Sequence, residues 1–125
     1  MDQETRKRLA KDPDGLLTYE YIANHIGTCE TDMDELVDNM IAVDTTGQFM
    51  VSAARYLGAI DAAKFASHIS RLVATAIDKD RERRYIGDLL QSLWGTDYEE
   101  RASVLSLTDD NFRRIYKRMK PAGSL

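Results

Sequence analysis

Apolar residues recur at spacings of three and four along most of the chain, the period of helices that bury one face. Met33, Leu36, Val37, Met40 and Ile41 make one stripe, with Asp34, Glu35 and Asp38 facing away from it. Ala62, Phe65, Ala66, Ile69, Leu72, Val73 and Ala76 make the cleanest. Tyr19, Ile22, Ala23 and Ile26 form a shorter one. After the charged run DKDRERR (78–84), Tyr85, Ile86, Leu89, Leu90, Leu93 and Trp94 resume the pattern. Alternating β-branched runs are absent. The pattern predicts an all-α protein, with residues 1–125 as a single compact domain of six or seven short helices packed at varied angles. It shows no internal repeat and no linker.

Local signals place the helix ends. Pro13 and Gly15 make KDPDG (11–15) a turn. Thr18 stands as an N-cap, with Leu17 and Ile22 at staple positions, and Gly27 fits a left-handed C-terminal position. Thr31, Asp61 and Thr108 are further expected caps, TDYE (96–99) matches a capping box, and Leu107 and Phe112 are placed for a staple. The stripe of residues 49–60 does not continue in phase into 65–76, which predicts a break at 58–61. A second phase shift favours two helices within 61–94. Residues 2–11 read as a short charged helix with only Leu9 and Ala10 as apolar anchors, which leaves the segment 1–14 open to fraying. Residues 121–125, beyond the helix-stopping Pro121, are expected to be a flexible tail.

Charge divides the chain. From Asp12 to Ala54 there are nine acids and no Lys or Arg, while TRKR (5–8), RERR (81–84) and RRIYKRMK (113–120) are basic, and the formal net charge is −4. Such an acidic segment has to face opposite charge, either within the fold or across a dimer. Cys29 is the only cysteine, so an internal disulfide is excluded and a reducing, cytoplasmic setting is expected. No run of about 18 apolar residues occurs, which predicts no membrane partner. The first fifteen residues lack an apolar h-region, which predicts no secretory leader.

TYEYIANHIGTCETDMDEL (18–36) resembles a helix-turn-helix unit, with Ile22, Ala23 and Ile26 in the first helix, Gly27 at the turn, and Met33 and Leu36 inward in the second. The resemblance implies a close helical crossing and, in that family, a second helix that reads DNA. Here that helix presents Asp32, Asp34, Glu35 and Asp38, which repel phosphates, so a close-packed corner is the expected outcome.

Chemistry that needs a converging set of groups is thin. His25 and Cys29 are four apart, but Gly27 lies between them and a zinc site needs further ligands. Asp12, Asp14 and Gly15 do not match a calcium loop, and the seven glycines are scattered singly, so there is no phosphate-cradling loop. The expectation is therefore no catalytic residue, no metal and no cofactor.

TGQFMVSAARYLGAI (46–60) is the most unusual stretch. Gly47, Val51, Ala54 and Gly58 form a face of small groups, suited to close helix packing. Gln48, Ser52 and Arg55 lie beside it, and Arg55 is the first base after the acidic segment. The sequence predicts a structural pair between Arg55 and Asp38 or Asp44, with Gln48, Ser52 and Arg55 otherwise open to a partner or ligand. The leading functional expectation is a non-enzymatic helical module that binds protein, possibly as a homodimer. The alternative is a nucleic-acid-associated regulator using the 18–36 corner and Arg113, Arg114, Lys117, Arg118 and Lys120.

Overall fold

Residues 1–120 are described by the structure, a computed structural model; the expected tail at 121–125 lies outside them. The described residues form eight α-helices: α1 (Gln3–Ala10), α2 (Leu16–Asn24), α3 (Met33–Val43), α4 (Gln48–Asp61), α5 (Ala66–Lys79), α6 (Asp88–Trp94), α7 (Ala102–Thr108) and α8 (Asp110–Met119). A 3-10 turn, Glu30–Asp32, precedes α3. The all-α class agrees with the periodicity, and the helix number exceeds the expected six or seven. The N-terminal segment forms the short charged helix read there, as α1. Asp2 accepts a hydrogen bond from Thr5 N at 2.8 Å, Leu9 is buried, and Arg6 pairs with Glu35.

The first turn of a helix leaves backbone N–H groups without partners, and its positive end favours a carboxylate. Two buried aspartates, Asp12 and Asp44, meet that need for α2 and α4, and a third, Asp80, meets it for the turn at 84–86 that leads into α6. Asp12 accepts from Gly15 N at 2.9 Å, Thr18 N at 2.8 Å and the Thr18 hydroxyl at 2.7 Å. Asp44 accepts from Gly47 N at 2.8 Å and from Phe49 N and Met50 N at 2.9 Å each. Asp80 accepts from Arg84 N at 2.9 Å, Tyr85 N at 2.7 Å and Ile86 N at 2.9 Å. The third residue after each aspartate has positive φ: Gly15 at 105°, Gly47 at 88° and Arg83 at 60°. The sixth, which is Thr18, Met50 or Ile86, is fully buried.

This is an internal repeat, contrary to the sequence reading. Three successive helix pairs, α1–α2, α3–α4 and α5–α6, are each joined by a turn on a buried aspartate, and the most extensive packing is between α4 and α5, which link one pair to the next. The pairs stack in two layers. Helices α1, α3 and α5 lie side by side and α8 completes their row; α2, α4 and α6 form the other. Each turn nests on the next. A Cβ on Gly15 would lie 3.1 Å from Asp44 Cβ, and one on Gly47 would lie 3.2 Å from Ala76 O. The carbonyl three residues before each aspartate also receives a donor from a later helix. Asn39 donates to Leu9 O at 2.9 Å, Lys79 to Ile41 O, and Arg118 to Ile77 O. These side chains bring a donor to carbonyls at the helix ends, where the regular ladder stops.

Beyond the third hairpin, Phe112 anchors α8, its ring centroid 5.3 Å from those of both Trp94 and Tyr116. Several expected caps move by a few residues. Thr18 lies inside α2, because Asp12 takes the capping role from farther back. Asp109 rather than Thr108 caps α8, accepting from Phe112 N at 3.2 Å, and Leu107 is exposed instead of stapled. Thr31 sits within the 3-10 turn, and TDYE lies in turns before α7. The break expected at 58–61 falls at 62–65, where Asp61 accepts from Lys64 N at 3.0 Å. Residues 61–94 do hold two helices, as the phase shift favoured.

Replacing Asp44 with Ala strands several buried amides at once, so denaturant unfolding is expected to show a loss of about 3 kcal/mol or more. Gly47→Ala combines positive φ with a close backbone carbonyl, whereas Gly27, at φ 99°, faces open space. The same measurement should therefore show a larger loss for Gly47→Ala than for Gly27→Ala, the latter being about 1–2 kcal/mol. For Asp12, burial pushes the carboxyl up, but hydrogen bonds from Thr18, Gly15 and Asp14 outweigh it and hold the group below its ordinary value of 3.8. The native state thus binds that proton less tightly than the unfolded chain. Its stabilising share is complete above the ordinary value and is lost as pH falls through the lowered one. Unfolding midpoints against pH should fall on that acid limb, and Asp12→Asn should flatten it.

Candidate functional site

The two layers present opposite surfaces. Ion pairs lace the α1–α3–α5–α8 row at each step: Arg6 with Glu35 at 2.5 Å, Arg71 with Asp38 at 2.6 Å, and Arg114 with Asp78 at 2.7 Å. His68 Nε2 also lies 2.8 Å from Asp34 Oδ1, and Lys64 lies 3.4 Å from Glu30. The acidic segment therefore meets its counter-charges within one chain. They come mainly from Arg6 and from 64–71, not from the clusters at 81–84 and 113–120. On the same segment, Asp12 and Asp44 are spent as caps.

The α2–α4–α6 row instead opens into a cleft of about 890 Å³. Tyr19 comes from α2, Ser52, Arg55 and Tyr56 from α4, Asp88, Gln91 and Ser92 from α6, and Thr96 and Tyr98 from the turns that follow. Helical spacing explains the placement. Val51, Ala54 and Leu57 face inward, so Arg55 is rotated to the mouth of the cleft. Gly58 lets α6 approach, since a Cβ there would come within 2.8 Å of Leu93 Cδ2. Tyr56 is fixed by donating to Ala23 O at 3.2 Å and meets Tyr19 edge to face, ring centroids 6.4 Å apart.

Arg55 is exposed and makes no ion pair or hydrogen bond among the described residues. The expected strut to Asp38 or Asp44 does not form, because Asp38 is paired with Arg71 and Asp44 is buried under the turn to α4. Of the five residues singled out together, only Arg55 and Ser52 line the cleft. Gln48 is exposed at the start of α4, where its carbonyl accepts from the Ser52 hydroxyl at 3.2 Å. Sequence reasoning missed the three tyrosines and the α6 residues. Tyr19 and Tyr56 look like core because they follow apolar stripes, and their half-buried rings do pack on the core.

The other candidates resolve simply. The 18–36 corner buries Ile22, Met33 and Leu36 completely. Its connection at 25–32 is longer than a helix-turn-helix turn of about 3–4 residues, and on its second helix Asp34 and Glu35 are engaged by His68 and Arg6. His25 stacks on Tyr21, with centroids 4.0 Å apart, and its Nδ1 lies 2.8 Å from Tyr21 O. Cys29 is buried, and its burial, with Glu30 nearby, pushes the thiol up. Among the described residues no three His, Cys, Asp or Glu side chains converge as a metal site. Arg113, Arg114, Lys117, Arg118 and Lys120 gather on a separate groove with Arg83.

A buried thiol with a raised pKa reacts slowly. Labelling of Cys29 by a thiol-specific disulfide reagent at neutral pH should be at least about tenfold slower than for a free cysteine. Denaturant should abolish the difference. No protein-family model, curated protein or solved structure matches the chain, so its function has to follow from its own side chains.

Proposed function

We propose that the chain is a single-domain, cytoplasmic, non-enzymatic module of stacked helical hairpins that binds an acidic segment of a protein partner in the α2–α4–α6 cleft. The observation that carries this reading is the state of Arg55. On the opposite face Arg6, Arg71 and Arg114 have carboxylates against them, whereas the Arg55 guanidinium stands at a cleft of about 890 Å³ with none among the described residues. Arginine's planar fork suits two-pronged contact with a carboxylate.

The surroundings support a peptide. Tyr19, Tyr56 and Tyr98 offer large, rigid rings with polar tips, a residue type enriched with arginine where binding energy concentrates. Gln91, Ser52, Ser92 and Thr96 offer hydrogen-bonding groups for an extended backbone. Rows of stacked hairpins characteristically use such a continuous face for binding. Self-association driven by the divided charge is disfavoured, because most acids of that segment already have partners within the chain.

Peptide display against the immobilised chain should enrich sequences with Asp, Glu or a free C-terminal carboxylate. Arg55→Glu should weaken the selected peptides by about 2–3 kcal/mol, roughly 30- to 150-fold in calorimetry, with the helical spectrum unchanged. Selection without acidic bias, or equal affinity for Arg55→Glu, would overturn the reading.

A further inference from the structure

The bases of α8 gather on one side. Arg113, Arg114, Lys117, Arg118 and Lys120, together with Arg83, line a groove of about 490 Å³, and no other described residue lines it. Two of the six are neutralised, Arg113 by Asp110 and Arg114 by Asp78. The other four have no carboxylate within ion-pair distance among the described residues.

Two of those four are nonetheless held in place. Arg83 donates to Arg118 O at 3.2 Å, and Arg118 donates to Ile77 O. A backbone carbonyl fixes a guanidinium without cancelling its charge. Arg83 also fills the left-handed turn position, φ 60°, that Gly15 and Gly47 fill in the other hairpins. A side-chain-bearing residue there carries a backbone cost that glycine avoids. The third hairpin thus places an arginine, at that cost, on the edge of an already basic groove. Lys117 is exposed, and the Lys120 ammonium lies 5.1 Å from the Tyr116 ring centroid.

Like charges held side by side repel, and an anion with several charges relieves them. We propose that this groove binds an oligophosphate, meaning two or more phosphoryl groups in series, supplied by a free polyphosphate or by one nucleic-acid strand. Phosphates rather than bases are the recognised element. Tyr116 is stacked against Phe112 at 5.3 Å and lies under Lys120, so its ring is not free to receive a base. The site is separate from the Arg55 cleft and does not depend on what binds there.

The test is a titration with sodium tripolyphosphate at low salt, followed by calorimetry and by the side-chain NMR signals of the groove arginines. Saturable binding is expected, at least about tenfold tighter than for inorganic monophosphate, weakening as salt rises. Lys117→Glu combined with Lys120→Glu changes only exposed groups and should reduce the affinity at least about tenfold with an unchanged melting curve. Arg55→Glu should leave it unaltered. Short oligothymidylate is the second arm. Tighter binding of the strand with the same arginine shifts assigns the source to nucleic acid, and binding of tripolyphosphate alone assigns it to free polyphosphate. No saturable shift with either probe, or equal binding by the Lys117/Lys120 double variant, would overturn the proposal.

Discussion

Amides at the turn between two buried helices must find partners, and this chain solves that problem three times with a buried carboxylate. Asp12 and Asp44 satisfy the start of the following helix, and Asp80 satisfies the turn that leads into α6. A buried carboxylate is costly unless fully hydrogen-bonded, so the turn around it has little freedom. The left-handed third residue and the buried sixth residue accompany that requirement in all three turns. Stacking follows from it too, since a compact turn with glycine at its corner lets the next turn approach within van der Waals contact.

Much of this was legible in the sequence, and part of it was not. The apolar stripes marked the helices and their inward faces, from Met33 to Met40 and from Phe65 to Ala76. DPDG and DTTG stand at corresponding places in the first two hairpins, a visible sign of repetition. The third copy hides it, because Arg83 occupies the glycine position and the turn residues around it are charged. The cap at Thr18 was misplaced because local rules look one to three residues back, whereas the buried carboxylates reach up to six residues forward. At α8 the local rule held, but Asp109 took the position in place of Thr108.

The cleft was less legible still. Arg55 stood out by composition, yet its partners could be judged only after Asp38 and Asp44 were seen to be committed elsewhere. Tyr19 and Tyr56 carry two roles at once: their ring bodies belong to the core pattern, and their edges form the cleft wall. Periodicity reports the first role and is silent on the second. The division of charge had a plain physical resolution. The acids of α3 lie between α1 and α5, and the bases that match them come from those neighbours. One face of the array is thereby tied together by its own ion pairs, and the other is left open with an uncommitted guanidinium.

The buried-aspartate account makes a demand on amides that a helical sequence pattern alone does not. Hydrogen exchange followed by NMR at Gly15, Thr18, Gly47, Phe49, Met50, Tyr85 and Ile86 tests it most directly. These amides belong to turns and first helical turns, where exchange is ordinarily fast. If the carboxylates hold them as described, their protection will approach that of the central residues of α4 and α5. Exchange at the rate of exposed loops would contradict the account at its root.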